Sequence, residues 1–64
     1  MKQFIEVPTD DGHAIVNINN IAAIIPYNDE YTDIFLVGNE KIKVLATKLS
    51  YSNVKSLIEI EMAQ

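Results

Sequence analysis

His13 follows the run Thr9-Asp10-Asp11-Gly12, which sets an imidazole within three residues of two carboxylates. Such a pair can move protons, because the ordinary histidine pKa lies near neutrality and a carboxylate can orient the ring. Acid–base catalysis also needs a positioned substrate and usually a nucleophile or second acid. No Ser or Thr stands in a strand–turn–helix nucleophile elbow, and cysteine is absent. His13 is therefore read as a solvent-exposed histidine beside a turn. No catalytic residue is assigned, and the expectation is that the protein is not an enzyme.

Acidic oxygens gather at Asp10 and Asp11 and again at Asp29, Glu30 and Asp33. A calcium loop needs alternating ligands, a central glycine and a bidentate acid at its end, and neither cluster has that spacing. Without cysteine and with one histidine, zinc ligand sets are missing too. No metal and no cofactor are expected. Gly12 and Gly38 are isolated turn glycines, so there is no glycine-rich phosphate loop.

Tyr27 and Tyr31 bracket the polar loop Asn28-Asp29-Glu30. They offer either a small aromatic recognition surface or a cross-strand pair below the loop tip. Lys41, Lys43 and Lys48 form the one local basic concentration in a chain of nine acids, five lysines and net charge −4. Nucleic-acid binders neutralise phosphates with clustered Lys and Arg, so this balance disfavours them. Three lysines near a strand read as solvated or edge-guarding charges.

The elements that must position these groups follow from turn chemistry and periodicity. Residues 3–7 form an apolar-rich run stopped by Pro8, which cannot donate to a ladder. Asp10, Asp11 and Gly12 supply a turn, with Gly12 able to take a positive φ. Residues 13–18 return as the second strand of a hairpin. Asn17, Asn19 and Asn20 favour a turn or bulge before a third strand at 21–27. Residues 32–37 are the strongest strand pattern. Gly38-Asn39 marks a two-residue turn, and residues 40–46 complete a second hairpin. The period then changes. After Ser50 or Ser52 as N-cap, Val54, Leu57, Ile58 and Met62 fall at helical spacing, with Tyr51 one turn earlier. That predicts a helix over 51–62, too short to persist unless it docks on the sheet.

The expectation is one domain over residues 1–64, of α+β class and mainly β. It comprises about five short antiparallel strands, in a meander or small barrel-like sheet, and one C-terminal helix. The longest apolar stretch, 21–26, falls far short of the roughly 20 residues of a membrane span. The N-terminal residues lack the extended apolar core of a signal peptide. A soluble cytoplasmic protein is the default expectation.

Several strands are apolar at both parities, and successive side chains of a strand face opposite sides of a sheet. Phe4, Val16, Ile34, Leu36, Ile42 and Val44 are assigned to the side covered by the helix. Ile5, Val7, Ile15, Phe35 and Val37 are assigned to the opposite side. One helix covers one face, and a chain of sixty-four residues buries only about 60% of its unfolded surface. The second face, with Tyr27 and Tyr31, is thus the candidate partner-binding surface for self-association or a protein partner. The first alternative is a nucleic-acid-binding module using Lys41 and Lys43 with Tyr27 or Tyr31 for stacking. The second is small-molecule binding, which needs a pocket with convergent polar groups.

Asn17 four residues before Ile21, the strand Thr32-Asp33-Ile34-Phe35-Leu36, the turn Gly38-Asn39, then Val44, and Ser50 with Val54 in the terminal helix form a connected pattern. In these features the chain resembles the FlbD/SwrD-like flagellar and swarming proteins, whose turn reads Asn-Gly where this one reads Gly-Asn. The resemblance implies a bacterial, motility-associated accessory role without catalysis. It supplies no site residue.

Overall fold

The structure, a computed structural model, describes residues 3–63. Five antiparallel strands precede one helix: β1 (Phe4–Thr9), β2 (Gly12–Asn17), β3 (Ile21–Pro26), β4 (Thr32–Gly38), β5 (Lys41–Thr47) and α1 (Tyr51–Met62). They form a two-stranded sheet, β1-β2, and a three-stranded sheet, β3-β4-β5. The meander is as expected, but it does not close into a barrel. The two sheets meet at one end, where the Pro8 carbonyl accepts the Lys48 N–H at 3.0 Å and the Thr47 hydroxyl at 2.8 Å.

The first hairpin turns through Asp10-Asp11, closing on the pair Thr9↔Gly12, and Gly12 takes φ +134. That is a backbone region where only a residue without Cβ sits at ease. Asn17 then ends β2 and caps a 3-10 turn over Ile18–Asn20, its side-chain oxygen accepting the Asn19 N–H. The irregularity expected among the asparagines is this turn. The bulge itself lies further on, at Ala22, where pairing jumps from Ile21↔Leu36 to Ala23↔Phe35. One extra residue lets Ile21 and Ile24, three apart, both pack on the core side, which a regular strand would forbid.

Ile5, Val7, Val16, Ile34 and Val54 form the buried core, joined by partly buried Ile24, Leu36, Leu45, Leu49, Leu57 and Ile58. Residues directly opposed in an antiparallel ladder share a face. Ile5 pairs with Val16 and Val7 with Ala14, so Ile5 and Val7 lie on the core side, 4% and 0% exposed. Their assignment to the opposite, partner-facing side is corrected, and so is that of Phe4 to the helix side, since Phe4 is 56% exposed. The assignments of Val16, Ile34 and Leu36 to the helix side agree with the structure.

β5 is inverted relative to its own pattern. Ile34 pairs with Leu45 and Thr32 with Thr47, so Leu45 and Thr47 face inward. Ile42 and Val44, assigned to the helix side, point outward at 69% and 56% exposure. The cause is the turn. Its two central residues are Asn39 and Glu40, at φ 49 and 64, between the paired Gly38 and Lys41. A loop with both residues left-handed matches strand twist. A two-residue loop at Gly38-Asn39 or at Asn39-Glu40 alike sets odd residues of β4 against even residues of β5. Ile42 and Val44 therefore join the face of Phe35 and Val37 in either case. Moving the loop by one slides the partners by two and exchanges no face.

Glu40 pays for that geometry, since a left-handed residue with a Cβ costs about 1–2 kcal/mol. Glu40→Gly is expected to stabilise the fold by about 1 kcal/mol, a rise of roughly 4–8 °C in Tm for a domain of this size. A fall in Tm would place residue 40 inside a strand and refute the register.

The helix starts where expected. The Ser50 Oγ accepts the Asn53 N–H at 3.3 Å, and Leu49 before the cap joins the core with Val54 in the second turn, a hydrophobic staple. Val54 is buried and Leu57 and Ile58 half-buried, whereas Tyr51 and Met62 of the expected stripe are exposed. Two buried threonines tie the strand ends. Opposed across β4 and β5, Thr32 donates to the Leu49 carbonyl at 2.8 Å and Thr47 to that of Pro8.

Candidate functional site

The helix and the first hairpin cover one side of the β3-β4-β5 sheet. The register places Ile25 on β3, Phe35 and Val37 on β4, and Ile42 and Val44 on β5 on the other side. Ile25, Val37, Ile42 and Val44 are exposed and Phe35 is half-buried. Ala23 and Ala46 complete the face, and Asp33 is the one ionisable group at these register positions. Opposed pairs Phe35↔Val44 and Val37↔Ile42 make its centre. An apolar sheet face of this kind has no chemistry of its own beyond its demand for another apolar surface.

Of the residues singled out from the sequence for this role, Phe35 and Val37 are on the face. Ile15 is exposed on the first hairpin, away from the core side of β2. Ile5 and Val7 are core. Ile25, Ile42 and Val44 were missed. The signal that could have found the last two was the two-residue length of the loop, because either Gly38-Asn39 or Asn39-Glu40 puts Ile42 and Val44 on the face of Phe35 and Val37.

Tyr27 and Tyr31 line one shallow hollow of about 270 Å³ with Asn28, Asp33 and Ala46. The loop between them is a closed unit. Asn28 Oδ1 accepts the N–H groups of Glu30 and Tyr31, and the Tyr31 carbonyl accepts the Tyr27 N–H at 2.9 Å. Tyr27 is exposed, whereas the half-buried Tyr31 donates its hydroxyl to Asp10 Oδ1 at 2.9 Å. Asp10 is thus engaged with a phenol in the structure. His13 pairs with Pro8 in the ladder and is exposed.

That hydrogen bond to Asp10, with smaller contributions from burial and from the nearby charges of Asp10 and Glu30, raises the Tyr31 pKa. The folded state favours the neutral phenol. The stability this adds is present below the ordinary tyrosine pKa of about 10 and is lost as pH rises through the higher folded value. In an absorbance titration of tyrosinate, one of the three tyrosines should ionise late, and Tyr31→Phe should remove that late component. Three coincident titrations would mean that the bond does not form.

A second hollow, about 530 Å³, opens at the end of the molecule away from the Pro8–Lys48 junction. Phe4, Ile15, Leu36 and Val37 supply apolar walls, and Lys41 and Lys43 stand over them. Asn17, Asn20 and Asn39 add uncharged polar groups, and no carboxylate lines it. The two lysines and the two tyrosines line different hollows. The structure therefore does not assemble the lysine–tyrosine constellation considered for nucleic acid. Among the described residues, no three His, Cys, Asp or Glu side chains converge to hold a metal ion. Among the same residues no helix is long and apolar enough to cross a membrane.

Compared with protein-family models, with curated proteins and with solved structures, the chain gives no match. The residues that carry the resemblance to FlbD/SwrD-like proteins mostly hold the fold. Asn17 and Ser50 cap, while Thr32, Ile34 and Val54 are buried. Asp33, Phe35 and Val44 are the exceptions, at outer-face positions.

Proposed function

We propose that the protein acts without catalysis, by associating with a second copy of itself through the outer face of the β3-β4-β5 sheet. One observation carries the reading. In β5 the apolar parity, Ile42, Val44 and Ala46, faces away from the core, while Lys41, Lys43 and Thr47 share the inward parity with Leu45. A strand that turns its apolar side outward leaves a surface whose exposure to water costs free energy. The face is almost free of charge, so it has nothing for an oppositely charged partner to read and is complementary to itself. Two such faces related by a two-fold axis would stack about 10 Å apart. An accessory role of this kind agrees with what the resemblance to motility-associated chains implies.

Light scattering coupled to size exclusion should return twice the chain mass, and Val44→Asp should return the chain mass with the strand and helix signals of circular dichroism intact. A wild-type monomer at every concentration up to the millimolar range would overturn the reading.

A further inference from the structure

We propose that the cleft between the first hairpin, at Phe4 of β1 and Ile15 to Asn17 of β2, and the β4–β5 turn is a docking site for an extended, acidic and apolar peptide segment of a protein partner. It is distinct from the outer sheet face, with which it shares only Val37.

Three observations converge. The first is an opening between strands. β1 and β5 are linked through Pro8, Thr47 and Lys48, yet among the described residues no backbone hydrogen bond joins them near Phe4 and Lys41. Among the described residues each therefore keeps an unpaired edge at this end, and an extended chain can satisfy such an edge by adding to it as a strand. The second is charge. Lys41 and Lys43 lie two apart on one strand and so on one face, both exposed, and no carboxylate lines the cleft of a chain whose net charge is −4. Like charges on identical edges repel, so the lysines deter a second copy of β5 and admit an acidic strand. The third is the apolar lining, where Phe4 and Ile15 are exposed beside Val37.

Alternation is what reads these features together. An extended peptide shows successive side chains to opposite sides, so one parity of acids can meet the lysines while the other parity rests on the apolar wall. Single-stranded nucleic acid is the less suited occupant, because it stacks bases on several aromatic rings. Phe4 is the one aromatic side chain lining this cleft.

The test is a titration of the full chain with a blocked octapeptide of alternating glutamate and valine, followed by calorimetry and by amide chemical shifts. Saturable binding is expected, with shifts centred on Phe4, Asn17 and Lys43. The double variant Lys41→Glu with Lys43→Glu should bind about tenfold more weakly or worse, with unchanged thermal unfolding because both positions are exposed. Raising the salt concentration should weaken binding, and a peptide of alternating lysine and valine should not bind. The proposal is overturned by no saturable binding, by equal binding of the basic peptide, or by shifts confined to Ile25, Ile42 and Val44. It is equally overturned if dodecanoate or oligothymidylate occupies these residues and the acidic peptide does not. A monomeric protein that still binds the peptide would support this site while removing the self-association reading.

Discussion

Ile34→Ala is expected to cost about 2–5 kcal/mol, the range for removing most of a buried aliphatic side chain. Ile34 is fully buried in the middle strand of the larger sheet, opposed by Ile24 on β3 and Leu45 on β5. Whatever fills the gap must come from side chains already held by two ladders, so little collapse is available. At about 0.05–0.15 kcal/mol per residue, a domain of sixty-four residues holds roughly 3–10 kcal/mol in all. The variant should therefore sit close to its unfolding midpoint without denaturant. Ile34→Val, losing one methyl, should cost about 0.5–1.5 kcal/mol and remain folded. Urea unfolding of the three proteins measures both differences. The adjacent Phe35 faces the other way, so Phe35→Asp should leave the chain folded and lower its oligomeric state. If Phe35→Asp unfolds the protein and Ile34→Ala does not, the two faces of β4 are exchanged.

That comparison marks how far the sequence could be read. The existence and order of the strands and the helix were legible, because turn residues and the change of period from two to 3.6 are local signals. The Ser50 cap and the extent of α1 were legible for the same reason. The faces of β1 were not, and those of β5 were legible from the loop length but misassigned. In β1, Phe4, Ile5 and Val7 occupy both parities, and only pairing with β2 decides that Ile5 and Val7 go inward. In β5 the local pattern points the wrong way. Its apolar parity is turned outward because a two-residue loop pairs Ile42 with Val37 and Val44 with Phe35, and a loop at Gly38-Asn39 would have kept them on that face. Thr32 and Thr47 escaped notice as core because a buried hydroxyl is tolerable only with a partner, here a carbonyl from another segment. The hollow beneath Lys41 and Lys43 is equally non-local, since it arises from two sheets that meet at one end only.

The inversion of β5 also bears on why an exposed apolar face is compatible with a stable chain. The loop that turns Ile42 and Val44 outward brings Leu45 and Thr47 inward at the closed end, where Thr47 reaches Pro8. The same register carries Lys41 and Lys43 beyond the core to the open end, where their charges remain in water. One turn thus sets core, outer face and basic cleft together. A substitution that slid the register would disturb all three at once, whereas Val44→Asp or the Lys41 and Lys43 reversals should each remove one surface.

Val54→Asp is expected to undock the helix and, with it, the cooperative unfolding transition. Val54 is the one fully buried residue of α1 and belongs to a core drawn from β1, β2 and β4. A carboxylate there has no cationic partner among the core side chains, and burying a polar group unsatisfied costs several kcal/mol, a charge more. That exceeds what a twelve-residue helix can supply by itself, since isolated helices of about 12–15 residues are marginal in water. The neighbouring exposed position gives the control. Lys55→Asp introduces the same carboxylate on the solvent side of the helix and should move stability by about 0.5 kcal/mol or less. Leu57→Ala should fall between the two, because Leu57 is only half-buried. Helix content from circular dichroism and the sharpness of thermal unfolding report the outcome. A folded, cooperative Val54→Asp would mean that the sheets hold together without α1, and that the helix is free to present its own apolar stripe elsewhere.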